Sequence, residues 1–505
     1  MNLISFNLLI YPTFIFIFLI SIIGHGKLIN SSILKDQIDL NLKNLIFIKG
    51  LIFIGFICIL INIFIPISDL ISIFIITIGI ILYLFFFIKI KNKKKETFFL
   101  IFVFLLSFFF SLYAGINDDF QYHYETIKNF KNKNIFQITH QRMISYNSHW
   151  LFLNSIFSFS KYTSSLFVLT SLFFAITIYD LINLTKSSFE NNNRYLCLLS
   201  LFSLIFFLGI LNKLKDFGTD IPGVIISLYI ILIIFYYYFD KKILISQKII
   251  KTISILCIFA FIVKITNGLI LILLIYLFFK LKINKINYWM PLTIIIFPIP
   301  WFIQNIIISN CLIWPISITC FSNIELAIEE TYLIESFAKG DIATSIDVGG
   351  LGWIKTWVYN HFNKIFETYF GFIIVLIIPL GFIFFQKKSD VKNFFNFVKN
   401  KYLNFDYKII FFIIILCNLM WFLFAPAYRF GIFYNFLFIT MSFIPLWLFI
   451  EQKNSAVLIR YSKIIIALLT IYFIFENIIK IDWYLKRYDT WPPIKNERIL
   501  ERINF

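Results

Sequence analysis

Runs of roughly 20 mostly apolar residues, the length needed to cross about 30 Å of hydrocarbon, recur along the chain and are separated by short polar breaks. They predict an all-α, polytopic integral membrane protein with about fourteen transmembrane helices. The predicted spans lie near Ile4–Ile23, Leu45–Ile65, Leu70–Ile88, Phe98–Gly115, Thr163–Leu184, Tyr195–Leu211, Ile221–Phe239, Ile249–Ile265, Leu269–Leu281, Trp289–Ile308, Tyr369–Phe385, Ile409–Phe424, Gly431–Ile450 and Ile464–Ile479. Met1 to Ile23 has neither a basic stretch before its apolar run nor a small-residue cleavage site after it, so it reads as a retained span.

The breaks differ in charge. Lys89, Lys91, Lys93, Lys94 and Lys95 form one basic knot, and Lys241, Lys242 and Lys248 form another. Lys280, Lys282 and Lys285 form a third, with Lys387, Lys388, Lys392, Lys399 and Lys401 a fourth. All fall on one side of the predicted topology, and the positive-inside rule makes that side cytoplasmic. Both termini then lie outside. The opposite side receives the longer connections: Ile116 to His149, Asn212 to Asp220, Ser309 to Phe366, the short turn Ala425 to Phe430, and the tail Asp482 to Phe505. Long loops in a compact protein are usually functional or disordered. These carry Trp, Gly and paired acids, so function is expected on the exoplasmic face.

Composition agrees with the pattern. Of 505 residues, 60% are hydrophobic and only 14% charged, with a mean hydropathy of +0.85, against about 45–50% and about 25% in soluble chains. The net charge of +18 sits between apolar runs, where it orients helices, and nucleic-acid binding is not expected. Six cysteines exclude a disulfide scaffold. No soluble domain, internal repeat, Walker loop or dinucleotide-binding glycine loop is found, so any energy for chemistry would come from a substrate itself.

The strongest candidate chemistry is Asn117-Asp118-Asp119-Phe120-Gln121-Tyr122-His123, directly after the fourth predicted span. Two carboxylates there precede a helix-like stripe of Phe120, Tyr124, Ile127 and Phe130, and Asp119 and His123, four apart, would share a helix face. The same acids also make a good helix N-cap. A second acidic segment, Lys213 to Pro222, holds Asp216 and Asp220 on the same face, and Pro222 after Asp220 equally suits an ordinary helix start. Arg429, in Pro426-Ala427-Tyr428-Arg429-Phe430-Gly431, is the best candidate phosphate clamp, because guanidinium binds phosphate in a bidentate fork. Lys213, Lys215, Lys264 and Arg142 are weaker candidates, and snorkelling to the headgroups is the plain alternative for all of them.

His123, His140 and His149 fall in the first exoplasmic loop and His361 in the third, where a histidine beside Asp would suit a divalent metal, although hydrogen bonding to a neighbour is the commoner use. Cys311 and Cys320, the two cysteines placed outside, are candidates for a disulfide in an oxidising compartment. Val348-Gly349-Gly350-Leu351-Gly352-Trp353 and Trp357 combine flexible backbone with aromatic faces able to stack on a sugar or to sit in an interfacial belt. Tyr488 to Pro493 sets Trp491 beside a rigid turn in the tail.

Asp118-Asp119-Phe120-Gln121-Tyr122-His123 resembles the acidic pair that opens the first exoplasmic loop of polytopic, lipid-linked-sugar-dependent glycosyltransferases of the GT-C superfamily. The resemblance covers that loop well and the remaining chain as a hydropathy pattern. It implies transfer of a sugar from a polyprenyl-phosphate donor to a lipid or glycan acceptor, at the periplasmic face of a bacterial inner membrane. It further implies Asp118 or Asp119 as the catalytic base, substrate contacts from His123, Asp220, Arg429, Lys215 and Trp353, and a divalent metal, if one is used, at Asp119 and Asp220. The organisation expected is an N-terminal three-span extension over residues 1–97, a catalytic core over 98–308 with its acidic loop at 116–149, a long loop over 309–366, C-terminal helices over 367–481 and a tail over 482–505. The extension departs from the family's usual order, in which the acidic loop follows the first span. Two alternatives remain. An O-antigen-type polymerase or ligase would rely on exoplasmic arginines, of which this chain has few; a transporter or lipid-linked-sugar flippase would place ionisable groups deep in its spans.

Overall fold

The computed structural model describes residues 3–32, 40, 42–111, 120–138, 140, 144–211, 217–240, 246–280, 294–339, 352–384 and 405–453, with isolated positions between 464 and 481. Among these the protein is helical, without a β-strand. In chain order the helices are α1 (Leu3–Ser32), α2 (Lys43–Asn62), α3 (Asp69–Ile88), α4 (Lys93–Phe110), α5 (Phe120–Asn132), α6 (His149–Ile156), α7 (Val168–Glu190) and α8 (Arg194–Gly209). They continue as α9 (Asp220–Phe235), α10 (Gln247–Val263), α11 (Leu271–Lys280), α12 (Ile299–Ser309), α13 (Ile324–Lys339), α14 (Trp353–Phe384), α15 (Phe405–Phe424) and α16 (Ile432–Lys453).

Seven of the described helices are long and apolar enough to cross a membrane, and three shorter apolar ones accompany them. The surface shows why water cannot surround them. Leu70, Ile73, Phe74, Ile81, Leu84, Phe85 and Ile88 of α3 are all more than half exposed. Leaving seven such side chains in water would cost roughly 10–20 kcal/mol, as much as the entire stability of a typical domain. Lipid removes that cost, and the chain is an integral membrane protein. At the other extreme, α9 is buried beyond its first residue and α7 nearly throughout, which makes them the centre of one continuous core running from α1 to α16.

Contacts sort the helix ends into two sets. At one end, Glu96 accepts Lys27 at 2.8 Å and Lys43 at 2.6 Å. There too Asp240 caps α8 by accepting the backbone N–H groups of Tyr195 and Leu196, Arg194 meets Glu451, and Lys280 meets Asp406. At the other end Lys131 pairs with Asp69 and Lys264 with Asp220. We call the latter the loop-rich end. The carboxylate buried within α7, Asp180, accepts the N–H groups of Lys43 and Asn44 and the hydroxyl of Tyr229 at 2.8–3.0 Å. It is the N-cap of α2, supplied by a different helix, so this intramembrane acid has a structural task.

Several boundaries differ from the hydropathy reading, each for a local reason. Helix α4 starts within the lysine run because the Asn92 side chain accepts the Lys95 N–H and caps it. Helix α14 begins at Trp353, sixteen residues before the predicted span at Tyr369. Lys355, Asn360, Asn363, Lys364 and Glu367 lower its apolar count, but at about 1.5 Å per residue a helix this long outreaches the hydrocarbon and its first turns project beyond it. The long third loop also contains a helix, α13.

Helices α1, α2 and α4 pack against α7 within the shared core.

Candidate functional site

Helix α9 opens the site. Its first residue, Asp220, follows Phe217, whose carbonyl accepts the Trp150 indole N–H at 3.0 Å and fixes the approach to the helix. Pro222 sits in the first turn, where its missing N–H costs nothing. One turn along, a side chain on Gly223 would begin 1.9 Å from Nδ2 of Asn267, so only glycine lets the segment after α10 come this close. That segment starts at Lys264, whose extended backbone (φ −154°, ψ 119°) ends α10 and leads into the 3-10 turn Ile265–Ile270. The bend delivers the Lys264 ammonium onto the Asp220 carboxylate.

Arg429 comes from the short turn between α15 and α16. Two indoles hold that turn. Trp357 Nε1 donates to the Pro426 carbonyl at 2.6 Å and Trp421 Nε1 to the Ala427 carbonyl at 2.9 Å. Phe430 N closes on Ala427 O at 2.9 Å, and a Cβ on Gly431 would lie 2.3 Å from the Trp421 ring. The Phe430 ring then carries two cations, Lys264 at 4.4 Å and Arg429 at 5.4 Å from its centroid.

His123 enters from α5. It is buried, with Tyr122 at 4.1 Å and Phe217 at 5.8 Å between ring centroids. The far end of α5 is tied down by Lys131 to Asp69, by Ile67 N to Phe130 O at 2.9 Å, and by Phe130 edge-on to Phe152. Lys264 pairs with Asp220 and shares the Phe430 ring with Arg429, and His123 stands against Phe217, three residues before Asp220. Four residues far apart in sequence therefore meet at the loop-rich end.

Of the residues expected at a site, Asp220, Arg429 and His123 are brought together, joined by Lys264. Asp118, Asp119 and Lys215 lie outside the described residues, as do Lys213, Asp216 and Arg142. Trp353 is 2% exposed, covered by Phe422 and with the Lys339 ammonium over its ring. Its faces are occupied, and it packs rather than offering a stacking surface. His149, expected in a surface loop, is 2% exposed at the start of α6, against Gly55, Phe152 and Phe259. His140 accepts or donates at Nδ1 to Ser145 and lies edge-on to Trp314; burial draws its imidazole below the ordinary value. His361 reaches the Ala338 carbonyl at 3.3 Å and stands beside Trp357 and Tyr428, with burial, then Lys364, drawing its imidazole down.

Cys311 and Cys320 are disulfide-bonded, closing a hairpin in which Leu312 N meets Thr319 O and Phe321 N meets Asn310 O. Among the described residues no group of three or more His, Cys, Asp or Glu side chains is placed to hold a metal ion, and the Asp220 carboxylate is engaged by Lys264.

Sequence reading missed the pairing of Lys264 with Asp220 and the roles of Trp357 and Trp421. The only signals were an ionisable residue at a span end and two Trp near the Arg429 turn.

No curated protein and no solved structure matches the chain. A family model described as a domain of unknown function, DUF8201, matches residues 8–438, and the chain belongs to that family.

Proposed function

We propose that the protein is a GT-C-type glycosyltransferase that moves a sugar from a polyprenyl-phosphate donor to a lipid or glycan acceptor at the periplasmic face of a bacterial inner membrane. The supporting observation is the gathering of Lys264, Arg429, Asp220 and His123 at the loop-rich end of the bundle. One cation, Lys264, sits on the carboxylate and a second, Arg429, shares the Phe430 ring with it, at a helix N-terminus whose first N–H groups add partial positive charge. A cluster with that balance suits a phosphate that gains negative charge as it departs.

In the step we infer, the acceptor hydroxyl oxygen bonds to the anomeric carbon while the bond from that carbon to the phosphate oxygen breaks. The bonding pair leaves with the polyprenyl phosphate, and the hydroxyl proton passes to Asp119 or Asp118. Arg429 and Lys264 hold the leaving phosphate, and Asp220 keeps Lys264 in place. The reading takes the full chain to about fourteen spans, with Lys215 as a further cation near the donor.

The test is binding of undecaprenyl phosphate to the full chain in nanodiscs. Each charge-assisted contact contributes about 1.5–3 kcal/mol, so Arg429→Gln or Lys264→Met should weaken binding by roughly 10- to 100-fold. Equal affinity in wild type and both variants, or none in the wild type, would overturn the assignment.

A further inference from the structure

We propose that Lys27 and Lys43 form a binding site for the phosphodiester headgroup of an anionic lipid, in the leaflet at the end opposite the loop-rich one. Four helices build it. Lys27 comes from the last turns of α1, Lys43 opens α2, Tyr83 lies near the end of α3, and Glu96 sits in the first turn of α4. All stand within two turns of a helix end, about the level at which a spanning helix meets the headgroups.

The charges there do not balance. Both ammoniums converge on the carboxylate of Glu96, Lys27 at 2.8 Å and Lys43 at 2.6 Å, so one positive charge is left over. The other described contacts of the ammoniums are aromatic faces, Tyr83 at 4.6 Å from Lys27 and Phe99 at 5.2 Å from Lys43. Asp180, the nearby carboxylate within α7, is turned on the backbone N–H groups of Lys43 and Asn44 and on the Tyr229 hydroxyl. A surplus charge held in such surroundings is costly unless an anion joins it.

The donors are open on one side. A lysine ammonium carries three N–H groups, and each of these two makes one described hydrogen bond, to Glu96. Glu96 is sealed, with 4% of its side chain exposed, whereas Lys27 keeps 13% and Lys43 17%. An incoming ligand therefore meets the ammoniums and not the carboxylate.

The class of ligand follows from the charge and from what lies beside it. Leu84, Phe85 and Ile88, just beyond Tyr83, and Phe98 and Ile101, just beyond Glu96, are more than half exposed. They belong to α3 and α4, which both pack against α1, so acyl chains lying on this surface carry their headgroup to the two lysines. Basic pockets between membrane helices are suited to acidic headgroups, and the exposed Lys93, Lys94 and Lys95 alongside raise the local concentration of anions. A zwitterionic headgroup offers no net charge to balance the surplus. The site is separate from the one at Asp220 and does not rest on any catalytic role.

Lipid retention decides it. The full chain in detergent is titrated with phosphatidylglycerol or phosphatidylcholine, and bound lipid is followed by native mass spectrometry. The wild type is expected to prefer phosphatidylglycerol by roughly tenfold or more. Lys27→Met and Lys43→Met should each remove most of that preference, while Lys94→Met, in the exposed lysine run, should leave it. Glu96→Gln releases both ammoniums and should tighten the hold on phosphatidylglycerol, a gain that a purely structural cluster would not give; it decides the matter even where the lysine variants do not fold. Equal retention of the two lipids by the wild type would overturn the proposal. So would a loss with Lys94→Met as large as with Lys27→Met, or an unchanged or weaker hold in Glu96→Gln. Displacement of the lipid by inorganic phosphate would overturn the lipid assignment, since the site would then take free phosphate.

Discussion

Breaking one partner of the Lys264–Asp220 pair tests the site's architecture directly. The Lys264 side chain is 11% exposed and that of Asp220 33%. A fully exposed pair contributes about 0–1 kcal/mol, and removing one partner of a fully buried pair costs about 3–5 kcal/mol because the other charge is stranded. This half-buried pair lies between, so Lys264→Met should destabilise by about 1–3 kcal/mol. Asp220→Asn should cost less, because the freed Lys264 ammonium stays over the Phe430 ring. The double variant should recover much of the Lys264→Met loss, since no charge is then stranded. Urea unfolding in detergent, followed through tryptophan fluorescence, gives the cycle. Strictly additive losses would refute the reasoning, for they would mean that the two side chains act independently.

Trp357→Phe and Trp421→Phe keep a ring but remove an N–H from the Arg429 turn; each should cost about 0.5–1.5 kcal/mol and weaken undecaprenyl-phosphate binding, measured in nanodiscs. Gly431→Ala forces a methyl into the Trp421 ring and should destabilise by about 1–3 kcal/mol in the same unfolding assay. Replacing Cys311 and Cys320 with Ser should cost about 2–3 kcal/mol through the short loop they close, read as earlier proteolysis between them. His361 is drawn below its ordinary value of 6.5, so the folded state binds its proton less readily than the unfolded chain. Stability should fall as pH drops below about 6.5, and His361→Gln should flatten that dependence in a pH series of melting curves.

Much of the fold was legible because membrane helices must satisfy their backbone internally and present apolar side chains outward. Hydropathy therefore located α2, α3, α7, α9, α15 and α16 closely. It failed at Trp353 to Thr368, where the first turns of α14 carry polar residues that resemble a loop. Asp220 and Arg429 stood out as ionisable groups at span ends. Their meeting through Lys264 did not, because the ion pair joins residues 44 apart and Trp357 reaches Pro426 across 69. No local pattern encodes such separations. The burial of His149 was hidden for a related reason: it depends on Gly55, on another helix.

The most direct test of the central claim is a mass-spectrometric profile of lipid-linked oligosaccharides and envelope glycans in cells carrying wild type, Asp119→Asn, Arg429→Gln or a deletion. The account predicts loss of the same sugar in all three mutants while both substituted proteins remain inserted and abundant. A deletion that leaves every glycan unchanged would contradict it.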